Sequence, residues 1–132
     1  MKIMDIIGNG VDIIKNSRIN KSLQIKGFLN RIFTKKEIKQ GKKLKNKINF
    51  YAKRFAAKEA FVKAIGSGFR SDINFIDIEI NNYKNGKPYI LLSKKLKNFL
   101  KKKFKIQKYK IFLSLTDEKD YSIAFVVINK KI

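Results

Sequence analysis

The sequence predicts an α+β domain in which antiparallel strands, joined as hairpins, pack on one long buried helix. Three observations carry this. Residues 51–68, YAKRFAAKEAFVKAIGSG, hold no helix breaker before the glycines and only two β-branched residues, Val62 and Ile65, so they form a helix. At about 100° per residue, Phe55, Ala56, Ala57, Ala60, Phe61, Val62, Ala64 and Ile65 cover most of its circumference, and a helix this apolar is largely buried. Finally, two pairs of short apolar stretches are each separated by turn-forming residues, as hairpin strands are. With 132 residues, 44% of them apolar and eleven Phe, residues 1–132 read as one domain with a real core.

Taken in order, residues 3–14 (IMDIIGNGVDII) read as a buried strand, in which Gly8 and Gly10 mark a bulge or a close backbone neighbour. Asp12 lies between Val11 and Ile13, an acid in apolar surroundings; it is either the N-cap of the next helix or a metal or phosphate ligand. That helix is short and polar, from Lys15 to about Lys26. Thr34 with Glu37 three residues later is a capping box, so a helix starts there and fades at Gly41. Residues 42–49 read as a basic linker.

Within the long helix, Glu59 and Lys63 stand one turn apart in the polar gap, and Arg54 and Lys58 make a second pair at that spacing. Buried charge is costly without a partner, so Glu59 and Lys63 either satisfy each other or meet charge in a cleft. Gly66-Ser67-Gly68 ends the helix with residues that allow close backbone approach. Beyond it, residues 73–80 (INFIDIEI) alternate as a half-buried strand does. Asn85-Gly86 is a strong turn signal, and Pro88 opens a second strand over 89–92. Ser93 caps an amphipathic helix with Leu96, Phe99, Leu100 and Phe104 on one face and lysines on the other. Residues 110–116 and 121–128 form a last hairpin through 117–120.

Composition narrows the chemistry. Without Cys there is no disulfide, thiolate nucleophile or zinc–thiolate site, and without His there is no imidazole base. No apolar run approaches the 18 residues or so of a membrane span, and Asp5, Asn9 and Asp12 break any signal-peptide core; the expectation is a cytosolic protein. The formal charge of +22 accompanies an abundance of Lys, Ile and Asn, residues with A/T-rich codons, and is discounted as a sign of nucleic-acid binding. Arg18, Arg31, Arg54 and Arg70, the four arginines of a lysine-saturated chain, are candidate anion contacts because the guanidinium fork suits phosphate and carboxylate. Asp12 and Glu59, brought together, would suit Mg²⁺, which takes a few oxygen ligands and leaves room for water and phosphate. Lys63 and the glycine turn would face the same phosphates.

GNGVDII, RFAAKEAFVKAIGSG, NGKPYI and LSLTDEKDYSIAFVVI occur in an order and spacing that resembles holo-acyl-carrier-protein synthase, the small bacterial type of 4′-phosphopantetheinyl transferase, over essentially the whole chain. The resemblance implies that fold, and transfer of 4′-phosphopantetheine from coenzyme A to a serine of apo-acyl carrier protein, with Mg²⁺ as cofactor. It implies Asp12 and Glu59 as metal ligands, Glu59 and Lys63 as catalytic, and Arg54, Lys63, Gly66, Ser67, Gly68 and Arg70 as coenzyme contacts. Arg18 and Arg31 fall on the surface implied to meet the acidic carrier protein. A homotrimer with its sites at subunit interfaces is implied too, with neither nucleic acid nor membrane as partner. Three departures stand out. Asn9 replaces an apolar residue, Met1–Ile3 form an extension that makes Met4 an alternative start, and Asp117 stands where many members have His. The rival reading, a small basic nucleic-acid-binding module, accounts for the lysines but not for acids embedded in apolar elements.

Overall fold

Nineteen residues of continuous helix, α4 (Lys47–Ile65), carry the packing of the chain. The computed structural model describes residues 5–69, 72–105 and 107–131. The expectations for Arg70, for the Met1–Ile3 extension and for Met4 lie outside these residues. In chain order the elements are β1 (Asp5–Lys15), α1 (Asn16–Leu23), α2 (Phe28–Ile32), α3 (Lys35–Lys42), α4, a 3₁₀ turn (Phe75–Asp77), β2 (Ile78–Asn82), β3 (Pro88–Leu92), α5 (Lys94–Phe104), β4 (Tyr109–Asp117) and β5 (Tyr121–Lys130). β1, β5 and β4 form an antiparallel sheet in that order, and β2 and β3 form a separate hairpin. This is the α+β arrangement expected.

The sheet lies directly on α4, and two glycines make that possible. A Cβ on Gly8 would stand 1.9 Å from the Ala64 carbonyl oxygen, and one on Gly10 would stand 1.9 Å from that of Ala60. Any side chain at either position would push strand and helix apart. Both sequence alternatives hold, because the register also slips between Ile6 and Gly8. Ala56, Ala60 and Ala64 supply the matching small residues on the helix, and all three are buried.

Three expectations are corrected. First, β1 is buried on one face only. Gly10 and Ile14 are buried, whereas Val11 and Ile13 are 55% and 59% exposed. Val11 pairs with Phe125, and Phe112 lies across from Val127, so opposed positions build an apolar outer face that this chain leaves uncovered. Second, the basic segment 42–49 is not all linker: the Asn46 side chain accepts from the Asn49 N–H at 3.4 Å and starts α4 at Lys47. Third, the expected strand over 73–80 opens with a 3₁₀ turn. The Asp77 carboxylate accepts from the Asn74 N–H at 2.8 Å and the Asp77 N–H bonds the Asn74 carbonyl, leaving only Ile78 onward to pair with β3. The Thr34–Glu37 capping box is formed in both directions.

Candidate active site

Strand alternation decides where Asp12 points. Residues 10, 12 and 14 share the face of β1 that covers α4, so the carboxylate turns toward the helix while Val11 and Ile13 turn away. There it meets Lys63, whose Nζ lies 3.1 Å from Asp12 Oδ1 and also donates to the Val11 carbonyl at 3.0 Å. Lys63 therefore meets charge from another element, the second of the two alternatives, and Asp12 is not a helix cap: Lys15 precedes α1 without a side-chain bond.

Glu59, one turn before Lys63, shares this corner. Its pKa is pushed up by partial burial and, next in size, by the negative charge of Asp12, with Lys63 opposing. Two partly buried carboxylates close enough to repel, with one ammonium bonded to Asp12, leave unneutralised negative charge. That donor set fits a small hard dication. Among the described residues no group of three or more His, Cys, Asp and Glu gathers, so a metal here would complete its shell with water or substrate oxygen, as Mg²⁺ commonly does.

Past Lys63 the helix ends on Gly66, held in the left-handed conformation at φ 71°, which a side chain would strain. The Gly66 N–H is committed to the Val62 and Lys63 carbonyls at 3.0 and 3.1 Å. The amides that the turn can direct outward are thus those of Ser67 and Gly68. The Ser67 hydroxyl donates to the Gly68 carbonyl at 2.9 Å and keeps the turn tight.

Arg54 does not join this cluster. It is buried on another side of α4, its guanidinium stacked 3.7 Å above Phe50 and donating to Asn82 Oδ1 at 2.8 Å. Burial lowers its pKa to about 10. Asn82 in turn donates to the Gly86 carbonyl at 2.9 Å, so Arg54 braces the Asn85-Gly86 turn through one intermediary. Arg18 and Arg31 are both exposed, on the neighbouring helices α1 and α2. Asp117 accepts from Asn49 at 2.7 Å and pairs with Lys53 at 3.4 Å, which ties the end of β4 to the first half of α4.

A second charge centre escapes sequence reasoning. Lys58, which helical spacing pairs only with Arg54, bonds Glu37 Oε1 at 2.7 Å and the carbonyls of Ile32 and Phe75 at 2.8 and 3.2 Å. Glu37 has a local role in the capping box, and that role conceals its second one.

A protein that places two carboxylates and a lysine where a glycine-broken strand crosses a helix, beside a glycine turn, has the features of a phosphoryl-group site. The family model for the 4′-phosphopantetheinyl transferase superfamily matches residues 8–126, and the chain belongs to this superfamily. Within it the chain is similar to holo-[acyl-carrier-protein] synthases. It is 53% identical over 128 residues to that of Pelagibacter ubique, an alignment covering 97% of this chain and all of that one. The crystal structure of the Neisseria meningitidis synthase matches with a TM-score of 0.85 at 37% identity, covering 96% of this chain and all of that one. That of the Bacillus anthracis synthase in complex with CoA (3′,5′-ADP) matches with a TM-score of 0.81 at 36% identity, covering 98% and 100%.

Proposed function

We propose that this protein transfers 4′-phosphopantetheine from coenzyme A to a serine hydroxyl of an apo-acyl carrier protein, leaving adenosine 3′,5′-bisphosphate. The observation that carries the reading is the convergence of Asp12, Glu59 and Lys63 at the β1–α4 contact, in a chain of this superfamily.

Asp12 and Glu59 would hold Mg²⁺, which when bound supplies Lewis-acid charge to the pyrophosphate oxygens and to the departing bisphosphate. The chain's own residues do the rest by positioning and electrostatics. Lys63, half exposed beside Asp12, holds a phosphate oxygen. Ser67 and Gly68 offer backbone N–H groups beyond the Gly66 cap. Glu59 takes the serine proton. Arg54 acts indirectly, by bracing the Asn85-Gly86 hairpin turn.

Arg18 and Arg31 on α1 and α2 receive the acidic carrier protein. The homotrimer is supported by the uncovered apolar face of Val11, Ile13, Phe112 and Phe125, which a second copy would bury; sedimentation equilibrium gives the count. No described helix is long and apolar enough to cross a membrane, in keeping with a site of action in the cytosol.

Intact mass of apo-acyl carrier protein, incubated with this protein, coenzyme A and Mg²⁺, tests the reading. The expected gain is one phosphopantetheine, abolished by EDTA. No gain from folded protein with several carrier proteins would leave a protein that only binds its carrier.

A further inference from the structure

The glycine turn follows the wrong end of a helix for binding phosphate. A helix C-terminus carries roughly half a negative charge on its unpaired carbonyls, and Gly66-Ser67-Gly68 continues directly from the C-terminus of α4. Three of the last four carbonyls have a donor, and the fourth is packed against β1. Those of Val62 and Lys63 accept from the Gly66 N–H, and that of Ala64 lies under Gly8, where a Cβ would stand 1.9 Å away. The Ile65 carbonyl, the last before the turn, accepts from Lys103 Nζ at 2.8 Å.

Lys103 comes from the last turn of α5, 38 residues along the chain. Its ammonium lies 5.9 Å and 5.5 Å from the ring centroids of Phe99 and Phe104, so aromatic rings of its own helix bracket it over the end of α4. Lysines crowd α5, but Lys103 is the one whose bond to the final α4 carbonyl is seen.

We propose that Lys103 is a positioning residue for coenzyme binding. It fixes the direction in which the chain leaves Ile65, and so the orientation of the Ser67 and Gly68 amides. Its charge also offsets the negative helix end toward which the phosphates must approach. The inference rests on the transferase reading and adds a residue outside the Asp12–Glu59–Lys63 cluster. Because Lys103 acts through the turn and not on the reacting atoms, its removal weakens coenzyme binding and spares the transfer step.

The test compares Lys103→Met, which keeps the stem and loses donor and charge, with Lys103→Arg, which keeps both. In the transfer assay with Mg²⁺, Lys103→Met is expected to raise KM for coenzyme A about 3- to 10-fold, the scale of a charge at a helix end, with kcat within about twofold. Titration calorimetry with coenzyme A should show the same loss of affinity, and Lys103→Arg should restore both values. A merely structural role would lower Tm and the active fraction, hence apparent kcat, and leave KM alone; that outcome, or Lys103→Met with wild-type KM, overturns the proposal. If Lys103→Met fails to fold, Lys103→Gln takes its place under the same criteria. Wild-type protein that binds no coenzyme A would overturn the transferase reading itself. Wild-type binding matched by the Met variant would overturn the Lys103 proposal alone.

Discussion

Lys58 and Lys63 lie five residues apart on one helix, each bonded to a carboxylate from a distant element, and the two pairs differ in every respect that matters. The Lys58 and Glu37 side chains are both 0% exposed and 2.7 Å apart. Each group is fully used. Lys58 donates to Glu37 and two carbonyls, while Glu37 accepts from Lys58, from the Thr34 N–H and from the Ile80 N–H at 2.9 Å. Burial lowers the Lys58 pKa, with the Glu37 charge opposing. That pair is neutral and closed; it knots α2, α3, β2 and α4 together. Lys63 and Asp12 are longer, at 3.1 Å, and open, at 55% and 16% exposed, with Glu59 as an additional acid beside them. Charge left over and accessible is what a ligand site has and a structural pair lacks.

Substitutions should separate the two. The largest effect is expected from Lys58→Met, which strands the Glu37 carboxylate in the core and should cost about 3–5 kcal/mol of stability in denaturant unfolding. The double change Lys58→Met with Glu37→Leu should recover only part of that, since it removes the stranded charge but takes their side-chain partner from the Thr34 and Ile80 N–H groups and the Ile32 and Phe75 carbonyls. If Lys58→Met unfolds no more easily than wild type, the closed-pair account is wrong. Asp12→Ala and Glu59→Ala should each lower kcat at least about a hundredfold while moving stability by only about 0.5 kcal/mol. Near-normal turnover in either would remove the metal-ligand assignment. Lys63→Met should lower kcat/KM about tenfold and leave stability within about 1 kcal/mol, as an exposed pair does.

The smallest effect tests the sign of the Glu59 shift in metal-free protein. Its folded pKa lies above the unfolded one, so ionising it opposes folding. Stability is lost as pH rises from the unfolded toward the folded pKa, and stays lost above it. Glu59→Gln should therefore raise Tm at neutral pH, and the gain should vanish below the ordinary glutamate range. A Gln variant less stable than wild type at pH 7 in EDTA would show that Glu59 is held by favourable bonds instead.

Much of the molecule is legible along the chain because it is local or periodic. Thr34 and Glu37 announce a helix start three residues apart, Asn85-Gly86 a turn, and residues 55–65 a helix apolar nearly all round. Asp12 is legible as an anomaly, an acid where apolar residues alternate. The closed pair is not, because Glu37 and Lys58 each have a sufficient local explanation and 21 residues separate them. Arg54 reads as an anion contact by its type, whereas its partner Asn82 is 28 residues away and carries no charge to signal it. The bond from Lys103 to the end of α4 is hidden among eight other lysines between Lys94 and Lys110.

By itself, then, the sequence determined the long helix, the two hairpins and the residue types gathered at the site, because these follow from dihedral preference, periodicity and side-chain chemistry; that Gly8 and Gly10 are needed for the close approach of α4 was one of two readings it left open. Only the tertiary structure decided which charge meets which. That choice depends on the crossing of β1 over α4, set by carbonyl oxygens that leave no room for a Cβ, and on how completely each pair is closed off from water.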